Sequence, residues 1–132
     1  MKKNILAFLI DDDLDDHEFF QLAVEKLPVN CAFATNGVKA IEKLTRDTKF
    51  TPDFIFIDIN MPLMNGMDCL REIKKIKRLK EVPVYMFTTY ADEFVTKNCM
   101  ELGAAGVLRK MPSIAGLRES FAEILLGQKI NL

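Results

Sequence analysis

Phe54-Ile55-Phe56-Ile57-Asp58 is the stretch on which the fold of this chain turns. Four consecutive aromatic or β-branched residues make it the clearest strand in the sequence. The strand stops at an aspartate, and Pro62 lies in the loop that follows. Gly66 then opens a helical pattern predicted to run to about Leu79.

Upstream, Ile5–Ile10 is a short, unbroken apolar run, as expected of a strand covered on both faces. A carboxylate-rich segment, 11–16, follows it. The next helix places Phe20, Val24 and Leu27 on one side and is stopped by Pro28. Val29–Ala34 reads as a second strand, and Gly37–Arg46 as a helix with Val38, Ile41 and Leu44 on one face. Downstream, Val82–Phe87 is a fourth strand, with Pro83 near its start, where a missing donor is tolerated. A weaker helix over about Ala91–Leu102 ends at Gly103, a natural C-cap. Gly106–Arg109 is a short fifth strand, and Ser113 caps a last helix striped by Leu117, Phe121, Ile124 and Leu125.

Strand and helix thus alternate five times without a compositional break. The pattern predicts one α/β domain, a parallel sheet with helices on both faces. The 132 residues suit one domain. A hydrophobic fraction of 49% and a charged fraction of 28% are ordinary for a globular protein. A net charge of −1 argues against a nucleic-acid binder that relies on overall phosphate attraction. Cys31, Cys69 and Cys99 are too few and too scattered for a disulfide framework or a zinc site, so buried, reduced thiols are expected. No segment approaches the roughly 18 apolar residues of a membrane span. The start of the chain is too short in apolar residues to be a signal peptide, and a cytoplasmic protein without membrane insertion is expected. The basic run Lys74–Lys80 reads as a solvated helix face.

In sheets of this kind ligands bind beyond the carboxyl ends of the strands. Asp11 and Asp12 close the first strand, Asp58 the third and Thr88 the fourth, and Lys110 follows the fifth. Each alone has a bland reading as a cap or surface residue. Asp13, Asp15 and Asp16 are read that way, and His17 as solvent-facing. Jointly, four segments bring polar groups to one edge. Close carboxylates cannot all stay ionised without a cation. An all-oxygen set favours Mg²⁺ over zinc. A metal beside a carboxylate, an amine and a hydroxyl suggests phosphoryl chemistry, with Asp58 as nucleophile.

The order and spacing of Leu9-Ile10-Asp11-Asp12-Asp13, Ile57-Asp58-Ile59-Asn60-Met61-Pro62 with Asn65-Gly66, Val82-Pro83-Val84 through Thr88, and Arg109-Lys110 resemble the receiver domain of bacterial two-component response regulators. The likeness spans about residues 4–127 and is to stand-alone, CheY-like regulators. It implies a (βα)5 flavodoxin-like, doubly wound parallel five-stranded sheet in the order 2-1-3-4-5. It also implies a single receiver domain over 1–132 with no output domain, not an enzyme in its own right. By the same resemblance Asp58 is the phosphoacceptor and Asp11 and Asp12 form the acidic pocket. Mg²⁺ is held by Asp11, Asp12, Asp58 and the backbone carbonyl of Asn60, while Thr88 and Lys110 contact the phosphoryl group. The partners implied are a sensor histidine kinase or histidine phosphotransfer protein and a downstream protein, with no direct nucleic-acid contact.

Two positions depart from the family pattern. Met111 intervenes between Lys110 and Pro112, which implies a trans or rearranged peptide after the lysine. Val107 stands where many members carry an aromatic switch residue, so output is expected to run through another element, such as the Tyr90–Phe94 loop. Three rivals are disfavoured. A haloacid-dehalogenase-type phosphatase needs a second aspartate where Asn60 stands. A pseudo-receiver would not need the complete polar set. An FMN binder would want a hydroxyl- and glycine-rich loop after the first strand, where this chain has aspartates.

Overall fold

The computed structural model describes residues 4–127. Along the chain run β1 (Ile5–Ile10), α1 (Leu14–Val24), β2 (Val29–Ala34), α2 (Gly37–Arg46), β3 (Phe54–Asp58), α3 (Gly66–Lys74), β4 (Val84–Thr88), α4 (Glu93–Glu101), β5 (Gly106–Arg109) and α5 (Ile114–Leu126). The five strands form one sheet in the order β2-β1-β3-β4-β5, and every neighbouring pair is parallel. The expected flavodoxin-like order 2-1-3-4-5 is therefore the observed one.

The strand sequences explain the layers. Successive side chains point to opposite faces, so an uninterrupted apolar strand supplies two cores. Phe8, Ile10, Ile55, Ile57, Val84 and Met86 face α2, α3 and α4. Ala7, Leu9, Phe56 and Phe87 face α1 and α5. On the second side Phe20, Phe56 and Phe121 interlock, with ring centroids 4.5 Å apart for Phe20–Phe121 and 5.3 Å for Phe56–Phe121. Such tilted and edge-on aromatic packing adds modestly to the burial of apolar area.

Each helix begins with a side-chain cap. Asp13, Asn36, Asn65, Asp92 and Ser113 accept from the backbone N–H groups of Asp15, Lys39, Asp68, Val95 and Gly116. The caps fix the helix starts. Asp92 places the start of α4 at Glu93, two residues later than expected. Gly103, at φ +102°, follows its end in the conformation that suits glycine.

Four local expectations are corrected. The third helix ends at Lys74, and Lys77–Leu79 is a separate 3₁₀ turn after extended backbone at Ile76. That break lets Leu79 reach the core. It also turns Arg78 toward the end of α2, where its guanidinium donates to the carbonyls of Phe50 at 2.8 Å, Asp47 at 3.1 Å and Leu44, and to Thr51 Oγ1 at 2.9 Å. Arg78 is thus a clamp rather than part of a solvated face. The fourth strand is Val84–Thr88, displaced toward its carboxyl end by Pro83, whose carbonyl accepts from Ile55 N–H at 3.1 Å. On α2 the buried face runs through Gly37, Ala40 and Leu44, while Val38 is exposed.

The three thiols are unpaired. Cys69 and Cys99 are fully buried in the core, and Cys31 is half-buried. Burial pushes the Cys31 thiol up to about 11 and the Cys69 thiol up to about 12. No helix among the described residues is long and apolar enough to cross a membrane.

Candidate functional site

The carboxyl ends of β1, β3 and β4 carry Asp11, Asp58 and Thr88, the buried polar residues among the described residues. The parallel register aligns Ile10 with Ile57 and Asp58 with Phe87, so the aspartates emerge side by side. Gly66 completes the floor beneath them. Its N–H donates to Ile59 O at 2.8 Å, and a Cβ there would overlap the backbone carbonyl oxygen of Asp58. Only glycine lets α3 start so close to the end of β3.

Carboxylate oxygens of Asp11, Asp12 and Asp58 lie within 4.8 Å of one another. Lys110 supplies one cation, its Nζ 3.0 Å from Asp11 Oδ2 and 3.6 Å from Asp58 Oδ1. Three carboxyl groups therefore face one ammonium at this edge. Burial raises the Asp58 carboxyl above the usual range, against the opposing pull of Lys110 and the Asn60 N–H. Burial pushes Asp11 up to about 7, although the N–H of Asp13 and the ammonium of Lys110 favour its ionised form. For Lys110 burial alone would lower the value, but bonds to Asp16 and Asp11 and the charges of Asp11 and Asp58 raise it on balance. It stays a cation at any physiological pH.

The donor set fits a hard divalent ion. All its ligand atoms are oxygens. Asp11 Oδ1 accepts from Asp13 N–H at 2.9 Å, but the buried Asp11 Oδ2 has no aligned hydrogen bond among the described residues, only the ion-pair contact with Lys110. A buried carboxylate oxygen left in that state is poised for a cation.

Most of the polar set expected from the sequence thus converges. Asp11, Asp12, Asp58 and Lys110 are together, and Asn60 N–H lies 3.3 Å from Asp58 Oδ1. Thr88 is at the same edge but turned aside. Its hydroxyl donates to Tyr90 O at 3.0 Å and lies 3.4 Å from Tyr90 N. The Tyr90 ring is exposed and borders a cleft of about 300 Å³ shared with Ala91, Thr96, Val107 and Arg109. No cis peptide occurs among the described residues, including the bond after Lys110.

Two residues sit differently from the sequence expectation. Asp16 is not a free surface carboxylate, because its Oδ2 accepts from Lys110 Nζ at 2.6 Å. His17 is half-buried and held by the protein rather than free in solvent. Its Nε2 lies 2.6 Å from Asp11 O, and its ring stacks on Phe33 at 4.8 Å. The sequence signal for Asp16 was its place one helical turn after Asp12, in the first turn of a helix that begins beside the cluster.

The sequence profile of the family described as "Response regulator receiver domain" matches residues 7–122. This chain belongs to that family. Receiver domains are phosphoacceptor signalling switches, and the strand order and acidic edge found here are those of this CheY-like receiver. Among its relatives, chemotaxis protein CheY1 of Helicobacter pylori is 32% identical over 94 residues, 71% of this chain and 73% of that protein. A protein-glutamate methylesterase/protein-glutamine glutaminase of Treponema denticola is 43% identical over 101 residues, 71% of this chain and 26% of that protein. The chain spans less than half the length of that methylesterase and of the transcriptional regulators it matches. Among solved structures, the Mn²⁺-bound form of response regulator Rcp1 superposes with a TM-score of 0.82 at 22% identity, covering 97% of this receiver and 98% of that chain. At that identity the likeness speaks for the fold.

Proposed function

We propose that this receiver is a switch that takes a phosphoryl group onto Asp58 and passes the change on by protein–protein contact. The observation that carries the reading is the convergence of Asp58 with Asp11, Asp12 and Lys110 at one sheet edge. Asp11, Asp12, Asp58 and the backbone carbonyl of Asn60 would hold Mg²⁺. The ion supplies charge neutralisation for the phosphoryl oxygens and offsets the repulsion among the carboxylates.

The donor in this reading is a phosphohistidine of a sensor kinase or phosphotransfer protein. An Asp58 oxygen attacks phosphorus, the phosphorus–nitrogen bond breaks, and the leaving imidazole keeps the electron pair and takes a proton from water. Burial helps the attack, since a carboxylate shielded from water sheds less hydration. Lys110 donates to one oxygen of the transferred group. Thr88 donates to another, giving up its bond to Tyr90 O and thereby freeing the loop that carries Tyr90. Val107 is small and stiff at χ1, so the output runs through this loop rather than through a swinging ring on β5.

The role is that of a switch and not of an enzyme acting on a separate substrate. Residues 4–127 form the receiver core, and the reading places it in a cytoplasmic setting. Incubation with Mg²⁺ and acetyl phosphate, followed by intact-mass measurement and peptide mapping, tests the reading. One phosphoryl group should appear, on the peptide containing Asp58, and Asp58→Asn should abolish it. Undiminished labelling of Asp58→Asn, or none in the parent, would overturn it.

A further inference from the structure

The shortest contact of Lys110 is with neither Asp11 nor Asp58. Its Nζ lies 2.6 Å from Asp16 Oδ2, 3.0 Å from Asp11 Oδ2 and 3.6 Å from Asp58 Oδ1. The lysine side chain is only 12% exposed and that of Asp16 only 23%, so the pair is shielded from solvent. Asp16 reaches the lysine from 94 residues away, out of the first turn of α1.

Neither of the ordinary duties of such an aspartate accounts for it. The cap of α1 is Asp13. The oxygen cluster that fits a metal comprises Asp11, Asp12 and Asp58, without Asp16. Lys110 is the only cationic side chain that Asp16 touches among the described residues.

We propose that Asp16 is a positioning residue, the resting-state counter-ion of Lys110, and that it competes with the phosphoryl group for the lysine. The inference rests on the reading of Asp58 as phosphoacceptor. An ammonium has three N–H donors and one positive charge. At rest its one aligned hydrogen bond goes to Asp16, and Asp58 is the farthest of its three carboxylate neighbours. To bond a phosphoryl oxygen on Asp58 the ammonium must lengthen or give up the bond to Asp16. Whatever charge Asp16 neutralises is withheld from the phosphoryl group. Asp16 thus raises the threshold for forming the active state, and formation of that state releases a carboxylate on α1.

Beryllofluoride with saturating Mg²⁺, titrated and followed by amide NMR, tests this without a kinase. Asp16→Asn keeps a hydrogen-bond acceptor and loses the charge, whereas Asp16→Ala loses both. Each should bind beryllofluoride about threefold to tenfold more tightly than the parent, as removal of a partly shielded neighbouring charge implies. Asp16→Glu should restore parent affinity. On a Lys110→Met background the gain from Asp16→Asn should vanish. In the unsubstituted protein, the Asp16 carboxyl ¹³C resonance should shift when beryllofluoride binds.

Unchanged or weaker binding by Asp16→Asn would overturn the competition. An equal gain on the Lys110→Met background would overturn it too, since Asp16 would then act only through the general charge of the pocket. Lower thermal stability in Asp16→Asn at parent affinity would reduce Asp16 to a helix-terminus charge. A parent that binds no beryllofluoride would instead sink the phosphoacceptor reading.

Discussion

A Cβ built on Gly66 would overlap the backbone carbonyl oxygen of Asp58 and come within 2.7 Å of Ile59 Cα. The obstacles are backbone atoms and cannot rotate away. Gly66→Ala must therefore push α3 from the end of β3 or tilt the Asp58 peptide. The expected cost is about 1–3 kcal/mol, as for an overpacked site. Unlike an ordinary core variant, Gly66→Ala should lose phosphorylation by acetyl phosphate even at temperatures where it stays folded. Chemical denaturation and labelling measured on the same samples would separate the two effects.

Asp11 gives the metal-free protein a pH dependence of known sign. Its carboxyl is raised from 3.8 to about 7, so between those values the folded state holds a proton that the unfolded chain has released. Stability from this group is complete below the lower value and is lost as pH rises through the upper one. Asp58, raised in the same direction, adds to the trend. In chelator the melting temperature should fall from about pH 5 to about pH 8, and Asp11→Asn should flatten the slope. Mg²⁺ added within this window should release protons, which calorimetry in buffers of different ionisation enthalpy would count.

Thr88 at rest spends its hydroxyl on Tyr90 O. Thr88→Ala removes that bond at a cost of about 1 kcal/mol. Beryllofluoride should still bind, since Asp58 and Lys110 remain. The amide shifts that it causes across residues 88–94 should shrink, whereas those around Asp58 should persist. A full response of the 88–94 segment would show that the loop is driven by something other than the threonine.

Arg78 holds together segments far apart in sequence by donating to Leu44 O, Asp47 O, Phe50 O and Thr51 Oγ1. Two of those carbonyls lie at the end of α2, where backbone acceptors have no helical partner. Arg78→Ala leaves them unsatisfied and should cost about 2–4 kcal/mol. Arg78→Lys should recover less than half, because a single ammonium cannot reproduce the fork. Phosphorylation of the folded fraction should be unaffected.

Strands were legible because their pattern is local. Ile5–Ile10, Val29–Ala34 and Gly106–Arg109 carry boundaries visible in the residues themselves. The site was legible for a related reason, since Asp11, Asp58 and Thr88 stand at strand ends and a parallel sheet brings strand ends together. Partners separated by most of the chain were not. Nothing near Asp16 announces Lys110, and nothing in the run Lys74–Lys80 marks Arg78 as the residue that clamps the end of α2. The place of His17 is not legible either, because a polar residue near a helix start is commonly wet, and its stacking partner Phe33 belongs to another element. The helical pattern runs on past Lys74 in the sequence because Leu79 keeps the apolar spacing even though the backbone has broken at Ile76.

The three thiols make the protein its own unfolding clock. Cys69 and Cys99 are wholly enclosed. Burial also pushes the Cys69 thiol up to about 12, so almost none of it is thiolate at neutral pH. Iodoacetamide should therefore read how often the core opens, with no label introduced. Cys31, half-buried on β2 beside the first strand, would report on the edge of the sheet and react sooner. Mass spectrometry of the alkylated peptides, with and without Mg²⁺ and beryllofluoride, would then measure by mass action how much each ligand slows opening at either place.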